Sequence, residues 1–169
     1  RAGSHGGGIQ VSSSQGVIRN NTIMNNAGEG IDIVASQSVN LTENIITANT
    51  AGVRADQESR VTLVRNNVWN NNGADYRNIA PGSSDLSLDP LFVVGPFGCC
   101  YLSQRTAGQG RTSPLVDAGT RTAASLGLDR FTTRTDGVGD QGLVDLGVHY
   151  PLFSGRTRVW LPYATSSAQ

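Results

Sequence analysis

The chain has 169 residues, and its 13 arginines, with no lysine, balance 13 acidic residues to a formal charge of zero. Charged residues are 15% of the chain, against about 25% in ordinary soluble domains. Balanced charge argues against nucleic acid or an anionic membrane as the main partner, since both select clustered cations. No apolar run nears the roughly 18 residues of a membrane span.

The chain opens at Arg1 without an initiator Met or the apolar core of a leader, and is read as a piece of a longer protein. Internal repeats then set its organisation. Gly8, Gly30, Gly52 and Gly73 open four copies at steps of 22, 22 and 21 residues. Asn21, Asn44 and Asn66 hold the same register, as do Ile23, Ile46 and Val68, and Asn26, Asn49 and Asn71. Within each copy the period is two. Ile9, Ile31, Val53 and Ala74 follow the glycines, with Val11, Ile33, Ala55 and Tyr76 two further on. That alternation predicts a strand with one buried face. The pairs Val39/Leu41 and Val61/Leu63 predict a second strand, and the Asn-x-Ile/Val triplets a third.

Short strands repeating every 22 residues predict a coil stacked on itself, one strand spacing (about 4.8 Å) per coil. The apolar columns fill the bore. Asparagines at the bends are expected to form amide ladders and to tolerate left-handed backbone. A right-handed path follows from the handedness of parallel crossovers. A leucine-rich horseshoe shares the repeat length, but its leucine-dense consensus is missing.

The Asn-Asn-Thr-Ile…Asn-Asn…Gly-Ile-Asp-Ile pattern resembles the right-handed parallel β-helix repeats of the pectate-lyase-like superfamily. Asp89-Pro-Leu-Phe-Val93, Tyr101-Leu-Ser103, Ser113-Pro-Leu-Val-Asp-Ala-Gly119 and Val144-Asp-Leu-Gly-Val-His-Tyr-Pro151 are similar to the closing portion of secreted bacterial β-helix proteins. The expected fold is therefore all-β: a right-handed parallel β-helix with a loop-rich C-terminal closing region. Extracellular or cell-surface location is implied by the resemblance alone.

The expected divisions are coils over 1–94, a closing region of the same domain over 95–151, and a tail over 152–169. Leu91–Val94 and Val144–Val148 read as strands. The stretch around Phe92, Phe97, Tyr101 and Phe131 is expected to cap the coil stack, because open coils must hide edges and core. Trp160, Leu161 and Tyr163 either fold back on the flank or anchor the tail to a partner by β-addition. The amino end shows no comparable cap, which points to upstream coils or another protein chain stacked there, self-assembly included.

The outward column Gln10, Asp32, Arg54 and Asp75, followed by Asp56 and Arg77, is the best candidate surface. Uronate lyases of the resembled superfamily use carboxylates to hold calcium and a basic residue to abstract a proton. Here arginines flank each carboxylate, so a salt-bridge ladder is the expected arrangement. Polysaccharide binding along Asp32, Arg54, Asp56, Asp75, Tyr76 and Arg77 is the alternative. A polygalacturonase-type centre does not fit, because Lys and adjacent Asp pairs are missing and His5 and His149 lie away from the column. Asp136, Asp140 and Asp145 sit in an acidic, glycine-rich run that raises calcium as the one candidate cofactor. Turn chemistry explains them as well. Adjacent Cys99 and Cys100 place their Cα atoms about 3.8 Å apart, below the usual disulfide minimum. Free thiols or a bond to another chain are the alternatives to a strained bridge. The leading functional expectation is a non-enzymatic extracellular module for structure, adhesion or assembly. The runner-up is a carbohydrate-active domain, either polysaccharide-binding or uronate lyase- or glycosidase-like.

Overall fold

The computed structural model describes residues 6–153. Three turns of a parallel β-solenoid occupy its first half. The first coil holds β1 (Ile9–Ser12), β2 (Gly16–Arg19) and β3 (Thr22–Met24). The second holds β4 (Glu29–Val34), β5 (Val39–Thr42) and β6 (Ile45–Thr47), and the third β7 (Ala51–Ala55), β8 (Val61–Val64) and β9 (Asn67–Trp69). A fourth begins with β10 (Tyr76–Arg77). Like strands stack in parallel into three sheets, β1-β4-β7-β10, β2-β5-β8 and β3-β6-β9. Register follows the repeat, with Ile9 on Ile31 and Ile31 on Val53.

The bore is one continuous core. Ile23, Ile31, Ile33, Val39, Leu41, Ile46, Val53, Ala55 and Val68 are buried in it. Fully burying one such aliphatic side chain contributes about 1.5–3 kcal/mol. Gly30 is glycine because of a close approach: a Cβ there would lie 2.6 Å from Ile46 Cγ2 and 2.8 Å from Asn49 Nδ2.

Both tasks expected of the bend asparagines are present, but on different residues. The ladder asparagines do not take the left-handed backbone themselves. Positive φ falls one residue earlier, at Asn20, Glu43 and Arg65 in one bend and at Asn25, Ala48 and Asn70 in the other. Ladder and turn are thus separate tasks on adjacent residues. Ala48 is the odd member of its column, since alanine adopts φ +55° at a cost that asparagine largely avoids. Ala48→Asn is therefore expected to raise the urea midpoint, by about 0.3–1 kcal/mol in unfolding free energy.

The fourth coil also enters two residues later than predicted. Tyr76 pairs with Val53 and Arg77 with Arg54. Gly73 N donates to Thr50 O, and Thr50 N to Gly28 O, so Gly73 follows Gly28 rather than Gly30 and Gly52. Asp75 takes the next place in the glycine column. It can carry a side chain there because its own carboxylate fills the space that a further ladder amide occupies beside each glycine above.

The closing region lies on the flank of the stack, not across its end. The strand β11 (Phe92–Gly95) pairs antiparallel with β12 (Gly98–Leu102), so Leu91–Val94 belongs to a hairpin rather than to a parallel coil. A single 3₁₀ turn (Arg105–Ala107) and the short α1 (Ala123–Leu126) follow. The pair β13 (Phe131–Thr132) and β14 (Tyr150–Pro151) completes it. Val144–Val148 is not a regular strand: Val144 N donates to Arg121 O, Leu146 N to Leu115 O and Gly147 N to Glu43 O. Its side chains nevertheless build a second core, where Leu146, Leu115 and Leu102 pack on Ile45. The middle strand of β3-β6-β9 is therefore buried on both faces, Ile46 inward and Ile45 outward. Phe97 and Phe131 stay exposed rather than covering an end.

Candidate functional site

On the outer face of the first sheet the order is Gln10, Asp32, Arg54, Arg77. Arg54 Nη1 donates to Asp32 Oδ1 at 2.6 Å, and Arg77 Nη1 donates to Glu29 Oε1 at 3.1 Å. The Asp32 hydrogen bond and charge push the Arg54 pKa above its ordinary value. The predicted salt-bridge ladder is present, but Arg77 stands where Asp75 was expected and reaches back to Glu29 on the second coil. Such half-exposed pairs contribute at most about 1 kcal/mol each. Asp56 lies at the neighbouring bend, where its carboxylate accepts from Ala35 N and the Ser59 hydroxyl. The Ser59 bond, then the Ala35 bond, hold its pKa low. Tyr76 is turned against the bore, with its hydroxyl donating to Asp85 Oδ2 at 2.8 Å. Burial, and then Asp85, raise its pKa. The six predicted carbohydrate-facing residues thus divide: Asp32, Arg54 and Arg77 share a surface, while Asp56, Asp75 and Tyr76 serve bends and interior.

Asp75 and Asp85 complete a pattern that the sequence reading caught only in part. In one bend Asn21 N and Nδ2 donate to Asn44 Oδ1. Asn44 does the same to Asn66, and Asn66 to Asp85 Oδ1. In the other bend the order is Asn26, Asn49, Asn71 and Asp75. A third ladder is made of serines: Ser14 N donates to Ser36 Oγ, Ser36 N to Ser59 Oγ, and the Ser59 hydroxyl to Asp56. All three run in one direction and end on an aspartate. A carboxylate only accepts, so it takes the last donors without presenting amide hydrogens to a further coil. Asp85 spends its other oxygen on Tyr76 OH and Gly82 N. The 22- and 23-residue steps of the serines were visible in the sequence; the aspartate ends break the repeat and were not.

A family model described as the right-handed beta helix region matches residues 2–88. The chain belongs to this right-handed β-helix family. Neither a curated protein nor a solved structure matches it.

In this β-helix the closing region carries its own polar cluster. Asp145 is buried: Oδ1 accepts from Asp117 N at 2.7 Å, and Oδ2 from Gln104 Nε2 and the Thr133 hydroxyl. Asp145 N donates to Asp140 Oδ2, which also meets His149 Nε2 at 2.8 Å. Asp136 stands apart, paired with Arg134 Nη2 at 2.6 Å. The three acidic residues considered for calcium are therefore not gathered at one point. Among the described residues no group of three or more His, Cys, Asp or Glu is placed to hold a metal. Asp117, Asp140 and Asp145 do line one hollow of about 310 Å³, with Gln104 and Arg134.

Burial, then the neighbouring Asp140, push the Asp145 pKa up to about 6, against about 3.9 in an unfolded chain. Burial and Asp140 also raise that of Asp117. The folded state holds the Asp145 proton more tightly than the unfolded chain. Its contribution to stability is thus complete below about pH 4 and is lost as pH rises through about 6. Asp145→Asn is expected to remove that decline: urea titrations at several pH values should show a flatter profile between about pH 4 and 6.5 than the parent.

Cys99 and Cys100 form a disulfide with each other, across a Cα–Cα distance of 3.8 Å. Of the three arrangements that the sequence left open, the bridge within the pair is the one present. Cys100 adopts φ +82°, a left-handed conformation that accommodates the adjacent pair in β12. Tyr150 OH donates to Cys99 O at 2.5 Å, and the Tyr150 ring stacks on Tyr101 with centroids 4.2 Å apart. The predicted partner anchors Trp160, Leu161 and Tyr163 lie outside the described residues.

Proposed function

We propose that this chain is a non-enzymatic, extracellular β-helix module with a structural, adhesive or assembly role. The observation that carries the reading is the pairing of charge on the outer sheet, where Arg54 holds Asp32 and Arg77 holds Glu29. The strands β8 and β10 each pair on one side only among the described residues, and edges of this kind are templates for pairing. The paired charges of the outer sheet agree with a surface that is internally neutralised rather than poised on a substrate. An exported location is supported by the Cys99–Cys100 disulfide, since such bonds persist in oxidising compartments.

The test has two arms. Incubation with polyuronates, followed by ultraviolet absorbance of unsaturated products, is expected to give no signal; a signal would replace this reading with the carbohydrate-active one. Chemical cross-linking in the native setting is expected to join the chain to another polypeptide. Recovery of a solitary, solvated chain would sink the assembly role.

A further inference from the structure

We infer that the Cys99–Cys100 bond is a site of exchange with low-molecular-weight thiols, and that opening it releases β14 from the outer hairpin. The pair is unsuited to stapling. A disulfide steadies a fold mainly by closing a loop of the unfolded chain, and these two residues are neighbours in sequence, so no loop lies between them. What the bond fixes is a single peptide unit. Val93 faces Tyr101 and Gly95 faces Gly98 across the hairpin, so Val94 alone stands opposite both cysteines, as in a β-bulge. Cys100 is held there at φ +82°, in a region that residues with a side chain avoid.

The rest of the closing region reads that peptide unit. Cys99 O accepts from Tyr150 OH, and the Tyr150 ring stacks on that of buried Tyr101. The Tyr101 ring in turn covers Gly95 too closely for any Cβ to fit. Tyr150 belongs to β14, which pairs with β13, and Leu102 N, two residues past Cys100, donates to Thr133 O. Hairpin and β14 are thus joined through the one carbonyl whose direction the bond sets.

Access is one-sided. Cys99 is exposed, whereas Cys100 is half-buried with its Sγ 3.3 Å from Met24 Sδ of β3. An incoming thiolate attacks Cys99 Sγ, forms a mixed disulfide with it and expels Cys100 Sγ as a thiolate, which takes up the proton that the attacking thiol gave to the solvent. A second thiolate attacks the small-molecule sulfur of the mixed disulfide and frees Cys99 in the same way. Two thiols are oxidised to one small disulfide, and the two electrons reduce the cysteine pair. Once the ring is open, Cys100 can return to extended backbone, and Cys99 O turns away from Tyr150 OH.

The experiment incubates the folded full chain with reduced glutathione, without denaturant, and traps thiols with iodoacetamide. The two cysteines are the only ones in the sequence, so glutathione has no other disulfide to open. Both are expected to be alkylated while the chain stays folded. Hydrogen exchange should then run about tenfold faster at Leu102 and in β13 and β14, with Ile46 and Val53 in the bore unchanged. Tyr150→Phe keeps the ring and lacks the hydroxyl; its β14 should exchange fast beforehand and gain little from glutathione. A bond that opens only after urea has unfolded the chain overturns the inference. So does reduction that leaves β13 and β14 as they were, or that speeds the bore equally. A Tyr150→Phe chain that responds as fully as the parent removes the link through the Cys99 carbonyl and overturns it too.

Discussion

Asn44→Leu is expected to lower the unfolding free energy by about 3–5 kcal/mol, the largest effect of any single ladder change. The side chain is fully buried. Its Nδ2 donates to Ile18 O at 2.8 Å and to Asn66 Oδ1 at 2.9 Å, while its Oδ1 takes the Asn21 backbone N–H at 3.0 Å. Leucine keeps the branched shape and the number of heavy atoms with bulkier methyls, so the change is mainly in hydrogen bonding, with some overpacking added. It leaves the buried Ile18 carbonyl without this donor, leaves Asn66 Oδ1 with the Asn44 backbone N–H alone, and takes the acceptor from the Asn21 N–H near the surface, with about 1–3 kcal/mol for each buried group that loses its partner. Partial compensation by the added apolar surface keeps the total below their sum. Asn21→Leu is the control. Asn21 lies at the exposed end of the same ladder, where water replaces its lost bonds, and about 1 kcal/mol or less is expected. Equilibrium urea unfolding of both variants checks the ranking; equal losses would mean the ladder does not act through burial.

The second large effect is expected at Glu43, where Ala should cost about 2–4 kcal/mol and Gln little. Glu43 is fully buried beneath the closing region. Its Oε1 accepts from both Thr120 N at 2.8 Å and Thr120 Oγ1 at 2.9 Å, tying residues 77 positions apart. Its Oε2 has only Arg19 Nε at 3.8 Å, too far for a hydrogen bond. Glutamine keeps the oxygen that Thr120 uses and removes a buried charge with poor compensation. Alanine leaves Thr120 N without a partner and opens space between the stack and its flank. Hydrogen exchange should localise the damage: in Glu43→Ala the Thr120 and Gly147 amides exchange faster, while Ile46 and Val53 in the bore change little. Uniform loss across both groups would show that flank and bore unfold as one unit.

Most of the solenoid was legible because its signals repeat. A column such as Ile9, Ile31, Val53 states the same requirement three times, and stacking makes the requirement spatial. Reading failed where a residue acts once. Gly73 looked like the next member of Gly8, Gly30 and Gly52, yet it follows Gly28, and that shift removed Asp75 and Tyr76 from the surface predicted for them. The ladder ends at Asp75 and Asp85 were hidden because their role depends on the absence of a further asparagine. The flank was hidden for another reason. Asn67 bonds both Leu88 N and Leu88 O through its side-chain amide, as a strand backbone would. Like Glu43 with Thr120, it is a pairing of unlike residues that no periodicity announces. Of the surface candidates, Asp32, Arg54 and Arg77 do share the outer face; Glu29, which neutralises Arg77, was missed because it sits one strand position outside the alternation.

The one-way bends bear on how such a chain can change length. A coil inserted between the second and third brings as many amide donors as acceptors, so neighbours above and below meet the groups they already expect. Whole units of about 22 residues can therefore enter or leave the middle of the stack without redesign. A unit added past Asp75 and Asp85 would face carboxylates with no hydrogens to give, and both would have to become asparagine first. The aspartates thus act as punctuation: they mark where duplication of the repeat must stop.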